Sequence, residues 1–148
     1  MSTTPPVGSI VLLTRLSRLI YRRATEDVLG MRLKAYMTLS SLRDGPLSQS
    51  DLCITMSLDP NNCVLILNEL EDADFVERRR DPSDRRRHIV EMTPAGHKAM
   101  LHAERAMESL EDDVLGALAP EERDVLRWRA CDGGFQCATA KAPIVEKP

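Results

Sequence analysis

Two closely spaced helix starts constrain the fold of this chain more than any other feature. Ser48 and Asp51 have the spacing of an N-terminal capping box, with an acidic residue where Glu or Gln is commoner, and predict a short helix. Asp59 and Pro60 then begin a second helix. Aspartate accepts hydrogen bonds from the free amides of the first turn, and proline is tolerated at the first position because the N–H that it lacks would have no partner within the helix. The second helix is predicted to run to about residue 72. The chain therefore contains two short helices joined by a tight turn.

An arginine-rich reversal, residues 78–87, follows the helix pair. Two arginine triplets flank a turn that Pro82 favours, with strand-like segments at Phe75-Val76 and Ile89-Val90. We expect six guanidiniums to crowd a protruding loop on a chain whose net charge is −3. Since like charges repel and the guanidinium fork suits phosphate, a polyanion is the natural partner of this run. The alternative interpretation is a solvated surface loop.

Helices are also predicted on both sides of this middle region. A helix from Ile10 to about Gly30 has an apolar stripe, and its arginines lie on a different side. A helix from Leu33 to Leu42 ends before Gly45-Pro46. The stripe consists of Leu12, Leu13, Leu16, Leu19 and Ile20, and the arginines are Arg15, Arg18 and Arg22.

After the reversal, Thr93-Pro94 repeats the cap-plus-proline start of a long helix, and Pro120 starts a last helix that stops at Asp132. Apolar residues follow the long helix at spacings of three and four, as in a heptad seam. A helical dimer interface or the core of a monomer would use such a seam equally well. Its members are Met100, Ala103, Met107, Leu110, Val114 and Ala117.

This order of elements is that of a winged helix-turn-helix, so the predicted fold is mainly α with a small β-hairpin wing. In such a fold the second helix enters the DNA major groove, where carboxamides match adenine and apolar groups meet thymine methyls. Ordinary helix-start chemistry is the alternative for Asn61 and Asn62. The candidate DNA-binding residues are Asn61, Asn62, Val64, Leu65, Asn68, Arg78, Arg80, Arg85, Arg86 and Arg87.

Residues 47–96 resemble the multiple antibiotic resistance regulator (MarR) family. The resemblance rests on an Asp-x-Arg pattern at Asp84 and Arg86, on Met92-Thr93 followed closely by Gly96, and on the segment 70–76 that joins recognition helix to wing. Asp74 stands where the family usually has glycine, and aspartate tolerates the left-handed conformation better than most residues. Two departures are the apolar Val64-Leu65, where the family often has Thr-Arg, and the acidic Glu69.

The resemblance implies an obligate homodimer that represses transcription from a palindromic site in double-stranded DNA. It implies that Arg86 reaches the minor groove, that Arg85 and Arg87 contact phosphates or groove walls, and that Asp84 has a structural role in the wing. It also implies release by a small-molecule effector or an oxidant. A pocket between dimer helices and winged domain would present Arg, Tyr36 or Met side chains to an aromatic or acidic effector.

The implied domain plan has a flexible N-terminus at 1–8, a single winged-helix domain at 9–131 and a flexible tail at 132–148. Within the domain, dimerisation helices would occupy about 9–30 and 94–131, and the DNA-binding part about 33–92. The competing hypothesis is a helical module whose winged part docks a protein. DNA binding would differ from protein docking by its steep salt dependence.

Other chemistry finds little support in the sequence. We expect no cofactor, since there is no glycine-rich phosphate loop and no nucleophile beside a histidine and an acid, so an enzyme is not predicted. His97 and His102 diverge on one helix, so we expect no metal. With neither an apolar span of membrane length nor an export signal, we expect no membrane association and a cytoplasmic protein.

The four cysteines are expected to be reduced thiols. Cys53 and Cys63 fall on the inward faces of their helices and are predicted to be core thiols. Cys131 and Cys137 flank a Gly-Gly turn and are the better candidates for a redox switch.

Overall fold

The computed structural model of the chain describes residues 7–132, with side chains through residue 130. Within that range, seven helices surround a small three-stranded sheet. In chain order the elements are α1 (Ser9–Arg23), α2 (Glu26–Leu29), α3 (Leu33–Ser41), β1 (Leu47–Ser48), α4 (Gln49–Thr55), α5 (Pro60–Asp72), β2 (Val76–Arg80), β3 (His88–Met92), α6 (Pro94–Val114) and α7 (Pro120–Asp132). The predicted flexible ends lie almost wholly outside the described residues, so the proposed division of the chain stays a prediction.

The single N-terminal helix expected from Ile10 to about Gly30 is wrong, because the chain breaks between α1 and α2. Thr25 takes an extended conformation at the new N-cap, and Glu26 and Asp27 supply the negative charge that a helix N-terminus favours. Gly30, with φ +76°, closes α2 in the left-handed conformation. Two helices therefore form where one apolar stripe suggested one.

The predicted helix starts are confirmed by their hydrogen bonds. The Asp51 amide donates to Ser48 Oγ at 3.1 Å, and the Asn61 amide donates to Asp59 Oδ1 at 3.1 Å. The Gly96 amide donates to Thr93 Oγ1 at 3.0 Å at the start of α6. The α4–α5 pair and the long helix after the wing thus begin at the predicted residues.

The sheet has the order β1-β3-β2 and is antiparallel throughout. Val76 pairs with Met92 and Arg80 with His88, so the two wing strands are in register along their full length. The two-residue β1, which was not predicted, pairs Leu47 with Val90. It joins the start of the helix-turn-helix to the base of the wing.

The core lies where α2 and α3 pack against α6 and where α3, α4, α5 and the sheet pack against one another. Leu39, Leu52, Leu67 and Val90 are completely buried there. The α6 seam contributes to this same core, with Met100, Ala103 and Leu110 buried, whereas Ala117 is exposed and lies beyond the helix end. Much of the seam therefore packs within its own chain. None of the helices in residues 7–132 is long and apolar enough to cross a bilayer.

Gly96 fixes how closely α6 approaches the wing. A Cβ at this position would lie 2.0 Å from the Phe75 carbonyl oxygen, a distance that no side chain tolerates. That oxygen accepts a hydrogen bond from the Thr93 amide at 3.0 Å, and Thr93 Oγ1 donates to the Asp74 carbonyl at 2.6 Å. The base of the wing, the end of α5 and the start of α6 therefore meet at one tightly packed joint.

Candidate nucleic-acid interface

The outer face of α5 carries the predicted base-reading residues. Leu65 is 65% exposed and Val64 37% exposed, while Cys63, Ile66, Leu67 and Leu70 are buried on the opposite face. Asn61, Asn62 and Asn68 are exposed as well. The face combines amides with apolar groups and carries little charge.

The two asparagines at the start of α5 differ in what holds them. Both backbone amides donate to Asp59 Oδ1 at 3.1 Å, but the Asn62 side-chain amide also donates to Asp59 Oδ2. The Asn62 backbone bond contributes most to holding the pKa of Asp59 below its ordinary value. Helix-start chemistry thus occupies the Asn62 side chain. Within the described residues, the Asn61 side chain has no such partner.

The end of α5 confirms that aspartate can replace glycine there. Asp74 has φ +62°, in the left-handed region, and its amide donates to the Glu71 carbonyl at 2.9 Å. The Phe75 amide reaches back to the Leu70 carbonyl at 2.8 Å, which completes a Schellman motif. The chain leaves α5 through this turn and enters the wing.

The wing loop, residues 81–87, is built by two aspartates. The Arg86 amide donates to Asp84 Oδ1 at 3.0 Å and the Arg87 amide to the Asp84 carbonyl at 2.9 Å. Asp81 Oδ1 accepts from both the amide and the hydroxyl of Ser83, and the hydroxyl bond contributes most to lowering the pKa of Asp81. These two hydrogen bonds to Asp84 fit the structural role that the resemblance implied for it in the wing. The sequence predicted a tight turn from Pro82 and the Asp and Ser residues around it, but it did not single out Asp81 as a structural residue of the wing.

The expectation of six guanidiniums in one protruding loop is wrong. Arg78, Arg79 and Arg80 belong to β2, because the strand extends further than the apolar residues alone indicated. Only the second triplet, Arg85, Arg86 and Arg87, lies in the loop. The positive charge is therefore spread along one edge of the hairpin as well as at its tip.

Arg78 is tied to α5. Its Nε donates to Glu71 Oε2 at 2.8 Å and its Nη2 to Asn68 Oδ1 at 2.6 Å. Its side chain is only 20% exposed, and its hydrogen bond holds the pKa of Glu71 below the ordinary value. Arg78 and Asn68 thus have intramolecular partners that brace the wing against the helix.

The other wing arginines fall into two groups. Arg79 lies 3.6 Å from Glu91, Arg87 lies 3.6 Å from Asp51, and Arg80 donates to the Arg85 carbonyl at 3.3 Å. These contacts are at or beyond the limit of a normal hydrogen bond and involve exposed groups, so they are weak. Among the ion pairs of residues 7–130, none includes Arg85 or Arg86. The two guanidiniums at the wing tip are therefore available to an external anion.

The prediction of reduced core thiols at Cys53 and Cys63 is wrong. The inward orientation is as expected, with Cys63 2% exposed and Cys53 half-buried, but the two sulfurs form a disulfide across the helix-turn-helix. The Cα atoms are 5.8 Å apart, inside the range that a disulfide spans. Each residue was placed on the correct face, but a sequence does not show that two faces meet at this distance.

The remaining candidates are less informative. The side chain of Cys131 and all of Cys137 lie outside the described residues, so the proposed redox role of that pair is untested. In the part of the chain that the structure describes, no group of three His, Cys, Asp or Glu side chains could hold a metal. His97 and His102 do not form such a group.

A helix-turn-helix, a capped second helix with an exposed outer face, and a hairpin with unpaired arginines define a winged-helix protein. The family model described as MarR family matches residues 33–88. An HTH-type transcriptional regulator of Mycobacterium bovis is 31% identical over 117 residues, which cover 78% of this chain and 80% of that protein. The chain belongs to the MarR family, whose named relatives here are transcriptional regulators.

Two further relatives are similar over a smaller share of their length. The transcriptional regulatory protein assigned to the hcr operon of Thauera aromatica is 32% identical over 107 residues, 72% of this chain and 64% of that protein. The HTH-type transcriptional repressor NicR of Pseudomonas putida is 35% identical over 92 residues, 60% of this chain and 56% of NicR. The chain thus spans somewhat less than two thirds of these two proteins.

Solved structures of family members share the fold. A MarR-family regulator from Rhodococcus sp. RHA1 has a TM-score of 0.77 at 20% identity, covering 89% of this chain and 97% of that one. A cysteine-to-serine mutant of MarR from E. coli, complexed with operator DNA, has a TM-score of 0.71 at 20% identity, covering 84% and 91%. PcaV from Streptomyces coelicolor, in complex with its natural ligand, has a TM-score of 0.71 at 20% identity, covering 89% and 97%.

Proposed function

We propose that the chain is a homodimeric, sequence-specific DNA-binding regulator that represses a palindromic promoter site. The observation that carries this proposal is the presence of two surfaces on one winged helix-turn-helix. They are an outer face of α5 with amides and apolar groups, and a wing tip whose Arg85 and Arg86 have no carboxylate partner among the described residues. Amides and apolar groups suit base edges in the major groove, and arginines suit phosphates and the minor groove. The named relatives are transcriptional regulators, and NicR is named a repressor.

The intramolecular hydrogen bonds described above indicate which of the candidate side chains are free to contact DNA. Asn61, Val64 and Leu65 would face base edges, and Arg85 and Arg86 would contact the backbone or the minor groove. Arg80 and Arg87 would contribute once DNA displaces their weak contacts. Asn62, Asn68 and Arg78 have side-chain hydrogen bonds within the chain and would mainly position the other residues. The candidate DNA-binding residues would thus include some that contact DNA and others that hold those residues in position.

DNA binding is tested by measuring the affinity for a duplex from upstream of the protein's own coding sequence across a range of salt concentrations. The logarithm of affinity is expected to fall linearly with the logarithm of salt, at a slope of about 0.9 for each phosphate contacted. A salt-independent interaction, or none with this duplex or with one selected from a random pool, would overturn the proposal. Docking of a protein partner by the winged part would then become the better hypothesis.

The dimer proposal rests on apolar surface that a single chain leaves uncovered. Ile10 is 76% exposed and Leu13 54% exposed on α1, and Val125 is 50% and Leu126 42% exposed on α7. No residue of α1 is buried, although the helix has a clear apolar stripe. Patches of this kind on a monomer are typical of interaction sites, and a second copy would cover both.

The oligomeric state is tested by light scattering at micromolar concentration. We expect a mass twice that of the 16.6 kDa chain. Leu13→Glu places a charge in the proposed interface and is expected to shift the mass to that of a monomer. Thr14→Glu, at an exposed position next to it on the helix, is the control. A monomer mass for the unmodified protein would reject the dimer.

A cavity of about 390 Å³ between α1, α3, α6 and α7 is the candidate effector site. Its lining combines apolar groups with Tyr36 and with three glutamates of α6, Glu104, Glu108 and Glu111. Two of these glutamates are paired, Glu104 with Arg43 and Glu111 with Arg127. Arg127, Tyr36 and Met107 also line this cavity. The excess of carboxylates favours an uncharged or cationic aromatic effector over an acidic one. Release of DNA on effector binding is part of the proposed function.

A further inference from the structure

The disulfide between Cys53 and Cys63 lies at the centre of the helix-turn-helix. It spans ten positions of sequence and encloses the whole turn between α4 and α5. Within that turn Ser57 has φ +50°, a conformation that only glycine adopts at no cost. The Leu58 amide donates to the Cys53 carbonyl at 3.0 Å, so Cys53 anchors the turn through its backbone and through its side chain.

Cys63 lies near the start of α5, on the buried side of the helix opposite the side chains that would contact DNA in the proposed function. It follows Asn61 and Asn62 directly and precedes Val64, and its amide donates to the Asp59 carbonyl at 3.0 Å. A movement of Cys63 therefore moves the first turn of α5, which presents the reading side chains. The disulfide connects this turn to α4 by a covalent bond.

We propose that Cys53–Cys63 is a redox-active site that a dithiol reductant opens, and that opening it weakens DNA binding. This inference rests on the proposed function. A thiolate of the reductant attacks the half-buried Cys53 sulfur, because Cys63 is buried, and a mixed disulfide forms. The second thiolate of the reductant then releases Cys53. The S–S bond of the protein is replaced by two thiols, and the reductant is oxidised to a disulfide, so two electrons and two protons pass to the protein.

Opening the bond changes the space that the two sulfurs need. Bonded sulfurs lie about 2.05 Å apart, whereas non-bonded heavy atoms need roughly 3.5 to 4.0 Å. Cys63 belongs to the same close-packed core as Leu52 and Leu67, which are both completely buried. A close-packed core cannot absorb this larger separation of the sulfurs, so the two helices must move apart or one thiol must rotate toward solvent. The first turn of α5 is then less firmly held.

The bonded state is the one expected to bind DNA. With the disulfide in place, both helix caps are formed, at Ser48 and at Asp59, and the joint with the wing is intact. Binding is stronger when the reading turn is already ordered, because less conformational freedom is lost in the complex. Reduction removes a constraint on this turn and is therefore expected to lower affinity.

The first test measures thermal unfolding of the full chain with and without dithiothreitol. Closing a short loop stabilises a domain of this size enough for reduction to lower Tm by about 5 to 10 °C. The Cys53→Ser/Cys63→Ser variant is expected to unfold at the lower temperature under both conditions. Cys131→Ser/Cys137→Ser is the matched control and should respond as the unmodified protein does. An unchanged Tm, or alkylation of Cys53 and Cys63 as free thiols after exposure to peroxide, would overturn the proposal.

The second test measures affinity for a duplex selected from a random pool, in oxidised and reduced protein at one salt concentration. We expect reduction to weaken binding about tenfold, or 1.4 kcal/mol. The Cys53→Ser/Cys63→Ser variant should bind as the reduced protein does and ignore dithiothreitol. Equal affinity in both states would refute the coupling to DNA. If Tm responds but neither state binds any duplex, the proposed function fails while the redox site stands.

Discussion

The outer face of α5 and the tip of the wing belong to the same winged helix-turn-helix, but they differ sharply in charge. The α5 face presents amides and apolar side chains, with Leu65 65% exposed, and its glutamates are paired with arginines. The wing tip presents Arg85 and Arg86 without carboxylate partners among the described residues. In the proposed DNA complex the two surfaces would therefore have different roles: α5 would select the base sequence, and the wing would supply much of the electrostatic attraction to DNA.

The largest effect is expected at the joint that holds the two surfaces together. Gly96→Ala would place a methyl group 2.0 Å from the Phe75 carbonyl oxygen, so the backbone at the wing base must move. We expect the free energy of unfolding to fall by about 3 kcal/mol, as for severe overpacking, measured by urea denaturation. Gly8→Ala is the control, because nothing lies within 4 Å of its added Cβ. Equal stability of the two variants would show that the joint is not tightly packed.

The next largest effect is expected at the wing tip. Arg85→Ala/Arg86→Ala removes two charges that have no intramolecular partner, so affinity should fall about ten- to a hundredfold for every DNA sequence, and stability should not change. Arg105→Ala, an exposed arginine on α6, removes a charge far from the proposed contacts and serves as the control. Anisotropy titrations with selected and random duplexes measure the affinity of each variant. If Arg105→Ala lost as much affinity, net charge would explain the effect better than the wing.

A smaller and more selective effect is expected on α5. Asn61→Ala should cost about 1 to 3 kcal/mol at one base pair and leave binding to random DNA unchanged. Asn62→Ala is the informative comparison, because its side chain is held by Asp59 and should contribute less to base discrimination. A panel of single base-pair substitutions measures these differences. If Asn62→Ala lost more specificity than Asn61→Ala, then Asn62 and not Asn61 would be the residue that contacts the base.

The smallest effect is expected at the brace between the two surfaces. Arg78→Ala removes the hydrogen bonds to Glu71 and Asn68, and we expect a loss of stability of about 1 kcal/mol or less, because Glu71 is well exposed. Since the pKa of Glu71 is lowered in the folded state, its contribution is present above the unfolded pKa and is lost as the pH falls through the folded one. Urea denaturation at neutral and acidic pH should show the difference between the two proteins shrinking in acid. A difference that grows in acid would contradict this role.

Local chemistry made much of this region predictable from the sequence. The caps at Ser48, Asp59 and Thr93 follow from residue types and spacing alone. The left-handed turn at Asp74 was expected from the family resemblance, because the family usually has glycine there. The outward face of α5 follows from helical periodicity. These features depend on residues a few positions apart, so the sequence is enough to locate them.

Features that join distant segments were not predictable in the same way. The Cys53–Cys63 bond depends on how two helices pack, and the ties of Arg78 to Glu71 and Asn68 depend on where the hairpin folds back. The extension of β2 through the first arginine triplet depends on pairing with β3, which compensates for the poor strand pattern of these residues. The break after α1 lies at the extended Thr25, followed by the acidic Glu26 and Asp27, and the longer apolar stripe concealed this local signal.

The division of labour between helix and wing is tested most directly by the salt dependence of DNA binding in three proteins. We expect the slope of log affinity against log salt to fall by about 2 in Arg85→Ala/Arg86→Ala relative to the unmodified protein, and to stay unchanged in Asn61→Ala. An unchanged slope in the arginine variant, together with a reduced slope in Asn61→Ala, would contradict the assignment of the electrostatic contacts to the wing.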